Sequence, residues 1–198
     1  MKLFEKRQER LKIFHRKKIK KHSVKEIPEY VFETCPNCHA SIPYKDLIED
    51  KYVCFECGHH FKISAYERIR QVCDADSFKE IDKSYVTKNV DKFEGYDKKL
   101  SLSQQKTGLK EAVVCGIGKT HSLPCAIGVM DSHFMMGSMG VIVGEKISRL
   151  IRLARKKKLP LLLFCTSGGA RMQEGIQSLV QMAKTSAELK QFSNEKGL

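Results

Sequence analysis

Two groups of residues in this 198-residue chain have the types and spacing to do chemistry. The first is the run over residues 159–175, LPLLLFCTSGGARMQEG. An apolar stretch, residues 161–165, stops at Thr166-Ser167-Gly168-Gly169, and a helix-compatible stretch, residues 170–174, follows. The pattern predicts a buried parallel strand that turns through glycine into a helix. Glycine lets backbone approach a ligand closely. The first amides of a helix are unpaired and sit at its positive end. Amides so placed hold an anion or a developing oxyanion. The expected donors are the amides of Gly169 and Ala170, with Gly168 allowing the turn. Arg171 and Glu174, three residues apart, are spaced to pair and orient the first helical turn. An ordinary strand-to-helix connection that uses glycine for its turn reads the same way.

The second group is Cys35-Pro36-Asn37-Cys38 and Cys54-Phe55-Glu56-Cys57, two knuckles separated by fifteen residues. Paired C-x2-C knuckles at this separation describe a tetrahedral zinc site. Four thiolates complete the shell, so the zinc is structural, and His39, His59 and His60 are surface or supporting groups. An iron–sulfur cluster is the alternative occupant. Residues 28–63 form the ribbon, with a hairpin over residues 44–53 joining the knuckles and Gly58 turning the chain after the second. A piece this small buries too little to fold alone, so metal binding contributes to its folding.

The elements that must position these groups follow from the rest of the chain. Apolar residues make up 41%, enough for a core. The net charge is +13, and Lys and Arg outnumber Asp and Glu by 11 to 4 in residues 1–30, so the basic excess is mostly N-terminal. Residues 1–27 read as a mobile or weakly helical arm, either a solubilising tail or a contact for nucleic acid or an acidic partner. No secretory signal and no run of ~20 apolar residues is visible. Cys73, Cys115, Cys125 and Cys165 lie in ordinary contexts, which suits a reducing, cytoplasmic compartment.

Residues 64–110 connect the ribbon to the main domain. Ser64 is placed to cap a helix, with Glu67 three residues on, and short helical pieces are expected over residues 76–81 and 97–105. Residues 111–131 read as two strands. Gly116-Ile117-Gly118-Lys119-Thr120 is not a phosphate loop, because Val113 stands where the pattern needs glycine and Pro124 breaks the helix that should follow. A hairpin turn is expected instead. Val143, Ile147, Leu150, Ile151 and Ala154 share one helical face, and basic residues gather at that helix's end. Met135, Met136 and Met139 suit adaptable packing, while Gly137 and Gly140 permit close approach to a ligand. A last helix is expected to about Lys190, with Ile176, Leu179, Val180 and Ala183 on one face. The order is strand, strand, helix, strand, Gly-Gly turn, helix, an α/β chain of ββα units. A serine hydrolase is the rival enzyme and is disfavoured, since Cys165 replaces the first glycine of the nucleophile elbow and every histidine precedes Ser167.

Residues 167–175, SGGARMQEG, with residues 178–186, SLVQMAKTS, resemble the carboxyltransferase beta subunit of bacterial acetyl-CoA carboxylase. Gln104-Gln105-Lys106-Thr107-Gly108, the loop FMMGSMG over residues 134–140 and the four cysteines agree. The resemblance covers about residues 28–198. It implies a crotonase-like ββα spiral over residues 111–198, incomplete because the family's chain continues through further strands and a second Gly-Gly loop. It implies transfer of a carboxyl group from carboxybiotin, borne on a carrier protein, to acetyl-CoA, giving malonyl-CoA. The implied partners are a carboxyltransferase alpha subunit, the biotin carboxyl carrier protein and biotin carboxylase, and the basic residues 149, 152 and 155–158 become candidates for coenzyme A phosphates. Gly168, Gly169 and Ala170 would be catalytic, and Arg171, Gly137 and Gly140 would bind substrate. The chain alone is expected to be inactive, with poorly covered strands and helices. A zinc-ribbon nucleic-acid binder is the competing reading.

Overall fold

The structure is a computed structural model that describes residues 31–166, 168–195 and 197. The arm over residues 1–27 and Ser167 lie outside the described residues. The chain divides into two units, Met1–His60 and Phe61–Leu198.

In the first unit, strands β1 (Phe32–Thr34) and β2 (Ser41–Pro43) pair antiparallel around the first knuckle. A bridge between Val53 and His60 closes the second. Between them the expected hairpin over residues 44–53 is not formed. Helix α1 (Tyr44–Glu49) takes its place, followed by left-handed Lys51 and Tyr52. The segment YKDLIE lacks strand alternation, and Asp46 places a negative charge in the helix's first turn. Ile42, Leu47 and Tyr52 are buried with Cys35 and Cys54 as this unit's small core.

The second unit is built on a four-stranded sheet of order β3 (Lys79–Ile81), β4 (Val113–Thr120), β5 (Leu123–Met130), β6 (Leu161–Phe164). The first two pairings are antiparallel and the pairing of β5 with β6 is parallel. The hairpin expected over residues 111–131 is present. Its two-residue turn, His121-Ser122, has positive φ at both positions, the geometry of a type I′ turn. Asp74 accepts both turn amides, at 2.9 and 2.7 Å, which stabilises a conformation that is rare for these residues. Residues 76–81, expected to be helical, instead lead into β3. Lys79 to Ile81 pair with Ile117 to Cys115, and at Gly116 a Cβ would meet the Phe78 ring at 2.5 Å. The glycine serves close strand packing.

Helix α2 (Ala65–Val72) packs on β4 and β5. Its N-cap is Ser64, whose Oγ accepts the Glu67 amide. Helix α3 (Tyr96–Thr107) lies between left-handed Gly95 and Gly108. Helix α4 (Val141–Lys157) buries Val143, Ile147, Leu150, Ile151 and Ala154 against the sheet, as its periodicity required. Helix α5 (Gly175–Asn194) packs along α4. No helix among the described residues is long and apolar enough to cross a membrane.

Two expectations fail here. β6 is half-buried at a sheet edge, because β5 covers only one of its sides. Helix α5 is also turned the other way. Ser178, Gln181, Thr185 and Phe192 face inward, while Ile176, Leu179 and Val180 are 67%, 49% and 50% exposed, and Ala183 is exposed too. Polar anchoring sets this orientation. Arg152 pairs with Glu188, Arg155 with Glu188 and Glu195, and Lys184 with Glu145, all between α4 and α5 except Glu195, which lies just past α5. Gly144 has no side chain, so Gln181 can sit directly against α4.

Candidate active site

β5 and β6 run parallel as neighbours, with Val129 opposite Phe164. The loops that leave their carboxyl ends, residues 131–140 and 165–174, therefore emerge side by side, where open α/β sheets place ligands. The Met139 amide donates to Gly169 O at 2.8 Å, and the Arg171 amide donates to Met139 O at 2.9 Å. These bonds make a parallel bridge between Met139 and Ala170. Thr166 Oγ1 donates to Met136 O at 3.3 Å. At Gly168 a Cβ would collide with Met136 O and stand 2.5 Å from the Ser138 amide nitrogen. Only glycine permits this approach, and it is followed by Gly169 at φ +68 in open space. Gly137 lies against Thr166, and Gly140 against the Glu174 carboxylate. The five small residues singled out in the sequence, Gly137, Gly140, Gly168, Gly169 and Ala170, thus meet at one place.

The amides of Gly169 and Ala170 donate to no acceptor among the described residues. Gly169 is exposed and Ala170 half-buried. Their expected position at a helix N-terminus is not what forms. The chain stays extended through Ala170 and Arg171, makes a single tight turn at Met172–Glu174, and begins α5 at Gly175. A left-handed Gly175 prevents one continuous helix from residue 170. The positive end of α4 is also taken, since the Val141 amide donates to Glu174 Oε2 at 2.5 Å. Any anion held at Gly169 and Ala170 is held by loop amides.

Arg171 is the largest fully buried side chain among the described residues. Its pairing with Glu174, expected from their spacing, is made at 3.2 Å. The rest of its guanidinium is also taken up by protein. Nη2 donates to Glu111 Oε1 at 2.7 Å and to Ser138 O at 2.9 Å, Nη1 to Glu111 Oε2 at 3.1 Å, and Nε to Ser138 Oγ at 3.2 Å. The double contact with Glu111 is the strong, fork-to-carboxylate kind. Burial works against the arginine's charge, but the hydrogen bond and charge of Glu111 more than offset it, and its pKa rises. Tyr96 donates to Glu174 Oε1 at 2.5 Å, and burial followed by this bond raises the phenol's pKa. Arg171 was expected to bind substrate. With its side chain enclosed, it instead ties both glycine loops to Glu111, ahead of β4. Sequence reasoning missed Glu111, Tyr96 and Ser138. A lone glutamate at the mouth of the apolar strand over residues 112–115 was the available signal. A cleft of about 530 Å³ borders Tyr96 and Glu174, with Val86, Val90, Val141 and Ile142 among its walls, and residues 168–170 do not line it.

In the first unit the four expected thiols converge. The Sγ atoms of Cys35, Cys38, Cys54 and Cys57 all lie within 4.8 Å of one another, with 3.6 Å from Cys35 to Cys57 and 3.7 Å from Cys38 to Cys54. Metal–sulfur bonds of ~2.3 Å in a tetrahedron put sulfurs ~3.8 Å apart, so the spacing fits a metal ion. Both knuckles share one hydrogen-bond plan. The His39 amide donates to Cys35 O and the Gly58 amide to Cys54 O, at 2.9 and 2.8 Å, each from a residue at positive φ. His39, His59 and His60 are not part of the cluster.

A sheet with paired loops at its carboxyl edge, an anchored glycine turn and a separate four-thiol unit define the class. The chain belongs to the carboxyl transferase domain family, whose profile matches residues 62–196. It is 54% identical over 172 residues to the acetyl-coenzyme A carboxylase carboxyl transferase subunit beta of Clostridium botulinum (strain Alaska E43 / Type E3), covering 87% of this chain and 59% of that one. It is 48% identical to the corresponding subunits beta/alpha of Natranaerobius thermophilus, covering 87% of this chain and 28% of that one. The chain thus spans about three-fifths of the length of the beta subunits it matches. Among solved structures, transcarboxylase 12S superposes with a TM-score of 0.58 at 29% identity, over 67% of this chain and 24% of that one. A single-chain long-chain acyl-CoA carboxylase shares the fold, with a TM-score of 0.54 at 18% identity over 75% of this chain and 14% of that one. The second unit is part of a crotonase-like carboxyltransferase fold.

Proposed function

We propose that this chain is the beta-subunit portion of an acetyl-CoA carboxylase carboxyltransferase. It would move a carboxyl group from carboxybiotin to acetyl-CoA, giving malonyl-CoA, in the cytoplasm. The observation that carries the reading is the pair of amides at Gly169 and Ala170, which have no acceptor among the described residues and are anchored through Arg171 in a chain of this family. The carboxyl group is supplied by biotin borne on a carrier protein. Carboxybiotin, when bound, would give up its carboxyl carbon by breaking the N–C bond, and its freed ureido nitrogen would take up the proton; in the acceptor, a methyl C–H bond breaks and a C–C bond forms, and the thioester oxygen carries the negative charge between these events. The two amides stabilise that oxygen, and losing one such donor costs ~10²–10³ in rate. Met139, bonded on both sides to the glycine loop, keeps the amides in place before substrate arrives. An alpha subunit, the biotin carrier and biotin carboxylase are the proposed partners, and the beta/alpha fusion in a relative supports the first. Zinc is the proposed metal of the four thiols. A nucleic-acid-binding ribbon would leave the glycine loops and the Arg171 cluster without a role.

The test is Ala170→Pro, which deletes one amide donor, assayed for carboxyl transfer with a co-expressed alpha subunit. A loss of at least about 100-fold in kcat with an unchanged melting temperature is expected. Full activity in the variant refutes the assignment, and malonyl-CoA formation by the purified chain without partners refutes its dependence on them.

A further inference from the structure

Helix α4 starts without a cap of its own. The residue before it, Gly140, has no side chain to bond the helix amides, and its first turn carries no acidic residue. Amides at the start of a helix lack partners within it and carry its positive end. Here that end directly follows the glycine loop over residues 134–140. Its cap comes from the other loop. Glu174, 33 residues away in sequence, accepts the Val141 amide at Oε2, at 2.5 Å. Gly140 makes this possible. At φ −102 its backbone suits any residue, but a Cβ there would collide with both oxygens of the Glu174 carboxylate.

The carboxylate is itself fixed. The Glu174 side chain is 8% exposed, and Oε1 accepts the Tyr96 hydroxyl at 2.5 Å and Arg171 Nη1 at 3.2 Å. The two loops are thereby joined into a closed ring. On one side the Met139 amide donates to Gly169 O and the Arg171 amide to Met139 O, and on the other Val141 donates to Glu174. Ala170 sits between the two residues that bond Met139. Only the short turn at Met172–Glu174 separates the carboxylate from Arg171, so a shift of one moves the other. The charges balance as well. Glu111 and Glu174 share one arginine, which leaves a negative charge for the positive end of α4.

We propose that Glu174 is a positioning residue for carboxyl transfer. As the cap of α4 it fixes the glycine loops against each other, and it withholds the helix's positive end from anionic groups, so that the thioester oxygen is received at Gly169 and Ala170. This rests on the carboxyltransferase reading above. The test is a kinetic comparison of variants co-expressed with an alpha subunit. Glu174→Gln keeps the reach to Val141 and loses the charge. It should lower kcat at least about 10-fold and leave KM for acetyl-CoA unchanged, because a small misplacement of reacting groups costs up to ~10²-fold. Inorganic sulfate should inhibit this variant and not the parent, since the positive end of α4 is no longer neutralised. Glu174→Asp keeps the charge and loses the reach, so it should lose kcat without gaining sulfate inhibition. Tyr96→Phe, the milder change, removes one donor to Glu174 and should lower kcat roughly threefold. Glu145→Gln, the same charge change farther along α4, should match the parent. A residue that only stabilises the fold would lower the melting temperature and leave kcat of the folded enzyme and its response to sulfate at parent values. That result overturns the proposal, and so does a raised KM with kcat kept, which would make Glu174 a substrate contact. If Glu174→Gln does not fold, parent kcat in Tyr96→Phe overturns it alone. No carboxyl transfer by the parent with the alpha subunit removes the carboxyltransferase reading, and this proposal with it.

Discussion

Replacing Arg171 by Met keeps the length of the side chain and removes its charge. Glu111 and Glu174, with side chains 0% and 8% exposed, then lose their shared cation. Breaking a buried pair from one side costs ~3–5 kcal/mol. Each carboxylate keeps two protein donors. Glu111 retains the Thr87 hydroxyl and the Ala112 amide, and Glu174 retains the Tyr96 hydroxyl and the Val141 amide. The cost therefore belongs near ~3 kcal/mol. For a unit of roughly 140 residues, an unfolding entropy of ~2.1 cal/mol/K per residue converts this to a melting temperature lower by about 10 °C. Calorimetric melting of the full chain at neutral pH, for parent and variant, measures it. Adding Glu111→Gln removes one stranded charge, so the double variant should recover at least about 1 kcal/mol relative to additivity. A drop of less than about 3 °C, or strict additivity, would show that the cluster does not anchor the two loops.

Other outcomes follow from the same geometry. The Lys184 hydrogen bond holds the Glu145 carboxyl below the ordinary glutamate range, burial opposes it, and the charges of Lys184, Arg152 and Arg149 add to it. A carboxyl whose pKa is lowered on folding stabilises the fold above its unfolded pKa, and that stability is lost as pH falls through the folded value. Glu145→Gln should therefore cost under about 1 kcal/mol at neutral pH, after solvent screening, and almost nothing in acid, as read from denaturant midpoints. In the first unit, chelation or Cys38→Ser should release one zinc per chain and make residues 31–60 sensitive to protease. Protection that survives metal removal would sink the coupling of metal to fold.

Much of this was readable in the residues. The spacing of the knuckles set four thiols at one point, and the period of residues 143–154 set the buried face of α4. The glycines at 137, 140, 168 and 169 marked two loops that the parallel pairing of β5 and β6 brings together. Other features were not readable, for specific reasons. The apolar stripe of α5 pointed the wrong way because Gln181 packs against α4 at Gly144, Thr185 is buried on the same face, and ion pairs hold the helix edges. The turn of residues 168–170 looked like a helix start, and only Gly175 at φ +50 shows why the helix waits. Glu111 and Tyr96 stand 60 and 75 residues from Arg171, beyond the reach of any local pattern.

That separation bears on the order in which the parts come together. β4 reaches β5 through two residues, β5 reaches β6 through α4, and α5 folds back on α4, so most contacts close over short stretches of chain. Glu111 to Arg171 and Tyr96 to Glu174 close over 60 and 78 residues. Long closures carry the larger entropy cost and tend to come late. The glycine loops would then acquire their working geometry only after the sheet has formed. A late contact, when deleted, speeds unfolding and leaves refolding nearly unchanged. Stopped-flow measurements on Arg171→Met should show that asymmetry, and a slowed refolding limb would place the cluster in the nucleus instead.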